Sequence, residues 1–576
     1  MGDGTTAIVF NGEIYNYRAL RQELEEIGYR FRTSSDTEVV LYAYEQWKLD
    51  CPKHLQGMFA FAIYDQCAEN GEISPENWRL LLARDRLGIK PLYWQRNDQG
   101  LLFASEVRAV LASGKVPRRI CVEGMYTYLA MGSVQEPLTL VEGVHSLPPA
   151  AYLLVESQRN LLTFRQHRYW TPPQKQDLIP DLEEVRSWLV DAVGSHLNSD
   201  VPLGTFLSGG VDSGTILALG SRSLQHPMQA FTLGFNNPEL DERDVASRTA
   251  RYCHVDYRHQ VIRDVDILID MPQALASMDQ PTLDGINSWY VSREARRAGL
   301  TVALSGVGGD ELFAGYPSFY QIPLLKRCTR LLPHLKRFTG AFAFFTRWNW
   351  LPGSADARRK LAAYLTGDLP MPHPYFAVRG LLTQTQLDNL LTPSAKELLT
   401  SEKNALQDWQ RTFVEQLNFA AQYDEVGEIS WLELSQYMLS TLLRDIDMMS
   451  MAHSLEVRVP FVDHFLVERV LRVPQIYKRA ANETKPLLTR SLQGILPPEV
   501  THSKKRTFTF PFQFWLNGEL AQEVEKSFVE LSDVLHPWIR ARQAKEIWLD
   551  FRQGHTNWTR PWSIYVLNAW AKANLG

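Results

Sequence analysis

The sequence predicts two domains of mixed α/β character: a β-rich first domain, then a parallel-sheet second domain with a helical C-terminal part. Three observations carry this. Ser208-Gly-Gly-Val-Asp-Ser-Gly214 follows the apolar run 201–207 at once and precedes a helix-like start, Thr215-Ile-Leu-Ala-Leu219. Ser305-Gly-Val-Gly-Gly-Asp-Glu-Leu-Phe-Ala-Gly-Tyr316 follows a second short apolar run, 300–304, in the same way. Further short apolar runs at 229–235 and 255–261 alternate with helical patterns, as expected of a parallel sheet covered by helices.

The elements read in order as follows. Thr6-Ala-Ile-Val-Phe10 is a strand, and 17–28 is an amphipathic helix closed by Gly28. A second helix covers 36–47, for which Asp36 before Thr-Glu-Val is a good N-cap. Strands follow around 59–64, 79–83 and 101–103. Pro172-Pro-Gln-Lys-Gln-Asp-Leu-Ile-Pro180 is a polar, proline-bearing linker. From about 320 onward the pattern is mostly helical. We place the domains at 1–170 and 185–576, with a linker over 171–184.

The chain has 576 residues, 45% of them apolar, which is ample for two packed cores. Its 60 basic and 65 acidic residues give a net charge of −5, so there is no basic footprint for nucleic acid. Five scattered cysteines without metal-ligand spacing fit a reducing cytoplasm. No apolar run is long enough to cross a bilayer, and no secretion signal is visible. The aromatic-rich stretch 341–351 reads as a buried helix or subunit contact rather than a membrane contact.

The first Gly-rich turn builds an anion site. Adjacent glycines let backbone N–H groups approach a phosphate, and the helix N-terminus adds partial positive charge. Ser208 and Ser213 add hydroxyl donors. Asp212 would repel a phosphate, so its place there suggests a bridging Mg²⁺. No Lys-Ser/Thr pair follows the glycines, which excludes the P-loop pattern. Taken alone, the heptad also fits an ordinary Gly-Gly turn. The second turn makes that reading weaker. Ligands in open α/β sheets lie beyond the strand carboxyl ends, where Asp212 and Asp310 can face one metal ion.

On these residues the chain resembles a known family. Ser208-Gly-Gly-Val-Asp-Ser213 is similar to the pyrophosphate loop of the N-type ATP pyrophosphatases. The wider resemblance, from Val9 to about Trp570, is to the glutamine-hydrolysing asparagine synthetases. It rests on Phe10-Asn-Gly-Glu-Ile-Tyr-Asn-Tyr17, Ser35-Asp-Thr-Glu38, Gly57-Met-Phe-Ala-Phe-Ala62 and Ala83-Arg-Asp-Arg-Leu-Gly-Ile-Lys-Pro-Leu-Tyr93. Phe103-Ala-Ser-Glu106, the two Gly-rich turns and Met451-Ala-His-Ser-Leu-Glu-Val-Arg-Val-Pro-Phe-Val-Asp463 extend it. The resemblance implies an N-terminal-nucleophile glutaminase αββα sandwich, here incomplete, followed by an adenine-nucleotide α-hydrolase (PP-loop) domain. Homodimerisation is an expectation from the family only.

In that family the glutaminase nucleophile is an N-terminal cysteine whose own amine serves as base. This chain begins Met1-Gly-Asp-Gly4, and the family's leading segment has no counterpart. The expectation is that glutamine hydrolysis is inactive in the chain as it stands. Two explanations stay open: a start codon set too far downstream, or a real truncation that uses free ammonia or none. By resemblance Asn11 and Gly12 match the oxyanion hole, and Glu13 and Asp36 match the carboxylates that hold the glutamine ammonium. Read without the family, the same residues are a strand-end turn and a helix cap.

The second domain is expected to use ATP and Mg²⁺ to convert a carboxylate into an acyl adenylate, which ammonia turns into an amide. The resemblance assigns Ser208, Gly209, Gly210 and Ser213 to the phosphate cradle and Asp212 and Asp310 to Mg²⁺. Leu207 and Leu233 match the adenosine pocket, and Ser305 and Gly306 a backbone contact with the nucleotide. Lys485 matches a lysine that stabilises the transition states; by itself it reads as part of a solvated helix face. Lys504, Lys505 and Arg506 read equally as a pyrophosphate-neutralising cluster or solvated surface, and Arg458 as a structural ion-pair residue. Val307 departs from the family, since aspartate-specific members carry Glu there. Asp279-Gln-Pro281 departs too, from Asp-Glu-Pro. Aspartate is the default acceptor. A non-aspartate carboxylate, an intramolecular cyclase reaction and a silent paralogue are the alternatives.

Overall fold

The computed structural model describes residues 6–69, 72–97, 100–158, 161–224, 228–235, 241–331, 355–401, 404–480, 482–501 and 510–576. The stretch 341–351 and the cluster Lys504–Arg506 lie outside the described residues.

In chain order the strands of the first domain are β1 (Thr6–Ile14), β2 (Gly57–Glu69), β3 (Glu72–Arg84), β4 (Tyr93–Asn97), β5 (Gly100–Ala104), β6 (His145–Ser146), β7 (Ala151–Gln158) and β8 (Leu161–Arg168). They form two antiparallel sheets, β1-β2-β3-β7-β8 and β5-β4-β6. The alternation along β2 decides the layering, because successive side chains leave opposite faces. Phe59, Phe61 and Ile63 bury against Leu20, Leu24, Val39 and Val40 of the helices Tyr17–Glu26 and Asp36–Trp47. Ala60 and Ala62 face the other way, toward Leu92, Leu153 and Val155, with Trp94 and Phe103 of the small sheet packed on them. The helix Val107–Ala112 covers β4 and β5, which completes an αββα stack. Each large side chain so buried stabilises by about 1.5–3 kcal/mol.

One expected cap is corrected. Ser35, not Asp36, caps the second helix: its hydroxyl oxygen accepts from the Thr37 N–H at 3.1 Å. Asp36 is the first helical residue, and its carboxylate accepts from the Ile14 N–H at 3.1 Å, which ties the helix to the end of β1.

Residues 171–180 carry no regular structure, and the helix Leu182–Ser195 follows. The second domain has five strands among the described residues: β9 (Leu203–Phe206), β10 (Gln229–Phe235), β11 (Asp256–Ile262), β12 (Val302–Leu304) and β13 (Glu456–Arg458). Their order is β11-β10-β9-β12-β13, with every neighbour parallel. The chain winds outward from β9 on one side and from β12 on the other. The topological switch point therefore lies between these two strands, where α/β sheets bind ligands. Both Gly-rich turns leave the sheet at this point.

The two domains are pinned to each other. The buried Lys90 ammonium lies 2.6 Å from an Asp447 carboxylate oxygen. Asp279 accepts from the N–H groups of Val107 and Arg108 at 2.9 and 2.8 Å, at the start of a first-domain helix. The Gln280 side-chain oxygen accepts from Leu140 N–H at 2.8 Å. The Asp279-Gln-Pro281 departure thus lies between the domains and not on the nucleotide turns. Among the described residues no helix is long and apolar enough to cross a membrane.

Candidate active site

The helix Val211–Ser223 begins at Gly210, whose backbone is extended and which offers no side-chain cap to the first-turn N–H groups. Helix N-termini favour anions. The preceding turn is closed by its own serines. Ser208 N–H donates to the Ser213 hydroxyl oxygen at 3.0 Å, and Gly210 N–H donates to that of Ser208 at 3.2 Å. Gly209 N–H points instead to the Glu242 carboxylate at 3.3 Å.

The turn after β12 packs directly on this one. A Cβ on Gly306 would lie 2.8 Å from the Ser213 backbone nitrogen, so only glycine allows the approach. The short helix Gly309–Leu312 then carries Asp310 toward Asp212. Between the two carboxylates lies the Lys485 ammonium, paired with Asp212 and 2.7 Å from Asp310. Lys485 is buried, not on a solvated helix face. Its backbone is left-handed at φ 52°, uncommon for a residue with a Cβ, just before Pro486. Burial works to lower the ammonium's pKa, but Asp212 and Asp310 outweigh it and hold the group above the ordinary lysine value. The lysine is therefore charged.

The eleven residues assigned from sequence to the nucleotide, the metal and catalysis line one cavity of about 570 Å³: Leu207, Ser208, Gly209, Gly210, Asp212, Ser213, Leu233, Ser305, Gly306, Asp310 and Lys485. Val307, Thr232 and Phe231 line it as well. Its described lining holds five carboxylates (Asp212, Glu242, Asp310, Glu311, Glu499) against one ammonium, that of Lys485. A phosphate chain entering such a site needs added positive charge. The hard oxygens of Asp212 and Asp310, already converging on a cation, fit Mg²⁺. No group of three or more His, Cys, Asp or Glu side chains that could hold a metal occurs among the described residues. Ligand oxygens would have to complete the coordination shell.

Two groups at these sites, Glu311 and Glu242, escape a reading of the sequence, and a third, Arg458, is seen only in part. Glu311 accepts from the Tyr316 hydroxyl at 2.7 Å, and burial, then the neighbouring Asp310, push its carboxyl up to about 7. Its one sequence signal is adjacency to Asp310. Glu242 reaches Gly209 from 33 positions away, and no local pattern announces it. Arg458 is an ion-pair residue as expected, but its pairing crosses the domains to reach Glu13.

The first-domain candidates form a separate group. Asn11 donates to the Ser105 hydroxyl at 3.1 Å, and Gly12 lies opposite Phe59 on β2. Glu13 lies 3.4 Å from an Arg458 guanidinium nitrogen. Burial pushes the Glu13 carboxyl up to about 7; Arg458 opposes this and Asp36 adds to it.

The chain is similar to known proteins. Residues 184–572 match the family model described as asparagine synthase, and residues 1–170 match the glutamine amidotransferase domain. The chain is 30% identical to glutamine-hydrolyzing asparagine synthetase 1 of Bacillus subtilis, over 100% of this chain and 86% of that protein. It is 31% identical to a putative glutamine-hydrolyzing asparagine synthetase of Mycobacterium tuberculosis, over 89% of this chain and 76% of the other. Amidase chry2 of Gibberella zeae is 25% identical, over 90% of this chain and 79% of its own length.

Proposed function

This chain belongs to the asparagine synthase family, and from that premise we propose that it activates a carboxylate with ATP and converts it into an amide with ammonia. The observation that carries the proposal is the placement of Lys485 between Asp212 and Asp310 at the mouth of the Ser208–Ser213 turn. An acceptor carboxylate oxygen attacks the α-phosphorus, the bond to the β-phosphate oxygen breaks, and pyrophosphate leaves. Ammonia then attacks the acyl carbon and AMP departs. The Ser208, Gly209, Gly210 and Ser213 turn cradles the leaving phosphates, and Leu207 and Leu233 line the adenosine. Ser305 and Gly306 meet the nucleotide through their backbone. Lys485 balances charge that develops in both steps. Mg²⁺ held by Asp212 and Asp310 would supply charge neutralisation of the departing pyrophosphate.

Residues 1–170 are read as the amidotransferase domain, 171–184 as the linker and 185–576 as the ligase domain. Asn11 and Gly12 are assigned to the oxyanion and Glu13 and Asp36 to the ammonium of glutamine. Burial pushes the thiols of Cys121 and Cys253 up to about 12 and about 11, and that of Cys51 well above the ordinary range. None of these three supplies a thiolate at neutral pH. Ammonia, free or released from glutamine, is the common nitrogen donor.

Aspartate is the default acceptor. A second reading, a different carboxylic acid, is favoured by Val307, which lines the cavity and brings neither charge nor proton transfer to it. The test is pyrophosphate and AMP release from ATP–Mg²⁺ with aspartate and ammonium, and then with a panel of other carboxylic acids. AMP with aspartate supports the first reading. AMP only with another acid supports the second. No AMP with any acid, while ATP binds, overturns both.

A further inference from the structure

We propose that Arg458 is a positioning residue that ties the glutamine-binding edge of the first domain to the nucleotide turn of the second. The proposal rests on the assignment of Glu13 to glutamine and of Ser305 to the nucleotide.

Arg458 ends β13 and is 3% exposed, too buried for a solvated surface pair. Its guanidinium is fully engaged. It donates to Glu456 at 2.6 Å and to the carbonyls of His196 and Asn198 at 3.0 and 2.5 Å. The remaining nitrogen faces Glu13 at 3.4 Å, the longest of these contacts. The carboxylate thus keeps room for a second cation, such as a substrate ammonium, while the other three contacts hold the guanidinium in place. Buried charges held this way resist reorientation, because any broken bond leaves a desolvated group behind.

The backbone of the same residue reaches the other site. Arg458 pairs with Leu304 across β12 and β13, and its carbonyl accepts from Ser305 N–H at 2.9 Å. Gly306, next in line, packs on Ser213. One residue therefore touches Glu13 with its side chain and the nucleotide turn with its carbonyl. A nucleotide seated against Ser305 therefore sets the position of Arg458 and, through its rigidly held guanidinium, that of Glu13. The second ligand then meets a carboxylate already in place, and its affinity rises. Such coupling is reciprocal.

The test is calorimetric titration of glutamine into the full chain, with and without α,β-methylene-ATP and Mg²⁺. The expected result is about five-fold tighter glutamine binding with the nucleotide analogue present, within the usual range of site coupling. Arg458→Met should abolish the difference and leave the analogue's own affinity unchanged. Equal glutamine affinity in both conditions overturns the proposal, and this comparison needs no variant. Retained coupling in Arg458→Met overturns it too. Absence of glutamine binding overturns it together with the Glu13 assignment. Ammonium-dependent AMP formation, measured on the same preparation, reports separately on the ligase reading.

Discussion

The Lys485 ammonium lies 2.7 Å from Asp310 and is held on its other side by Asp212, so one buried cation neutralises two carboxylates. Without it, like charges would face each other out of water. Lys485→Met should therefore lower kcat by about 100-fold or more, the usual cost of a lost preorganised donor. It should also make folding more dependent on the metal, because Mg²⁺ can take the place the ammonium leaves. Thermal melts with and without Mg²⁺ check this: a larger metal-induced rise in Tm is expected for the variant than for the unmodified chain. Equal shifts would put the metal elsewhere.

Gly315 keeps that arrangement open. A Cβ there would run into the Asp310 carboxylate and the Lys485 side chain. Gly315→Ala should cost about 1–3 kcal/mol by overpacking. Activity should fall further than stability, since the atoms displaced are the ones that meet the phosphates. The comparison of Tm with AMP formation decides: activity preserved alongside a lower Tm would free Lys485 from its proposed role.

Much of this is legible in the chain, and the part that is not has a common cause. Strand-turn-helix patterns are local, so Ser208–Ser213 and Ser305–Asp310 announce themselves, and β9 and β12 are neighbours as their turns require. Ser35 displaces Asp36 as the cap because both suit that position and only backbone geometry separates them. Lys485 reads as solvated because its partner Asp212 lies 273 positions earlier. Glu242 and the pairing of Arg458 with Glu13 are contacts of the same long-range kind, made by folding and carried by no spacing.

Glu242 competes with the nucleotide. Its carboxylate accepts from Gly209 N–H, one of the donors proposed for the phosphates, and it adds negative charge to an already acidic cavity. Glu242→Gln keeps the size and removes the charge. The KM for ATP should fall several-fold in the variant with kcat little changed, because the contact gives way before the transition state forms. A raised KM would instead make Glu242 part of the binding machinery.

Glu13 gives the first domain a pH response. Its carboxyl is pushed up to about 7 by burial, with Arg458 pulling it down and Asp36, Glu456 and Asp200 pushing it up. A substrate ammonium is held only by the carboxylate form. As pH falls through about 7 the group takes up a proton, so glutamine affinity should weaken by up to tenfold per unit below that point. The same shift favours folding at low pH: Glu13's contribution is full below its unfolded value and is lost as pH rises through about 7. Removing the guanidinium removes the influence that lowers the value. Arg458→Met should therefore move the midpoint of the glutamine-binding profile to higher pH, while Glu13→Gln should flatten the profile. Binding that stays constant from about pH 5.5 to 8.5, a span that brackets the titration, would remove Glu13 from the glutamine site.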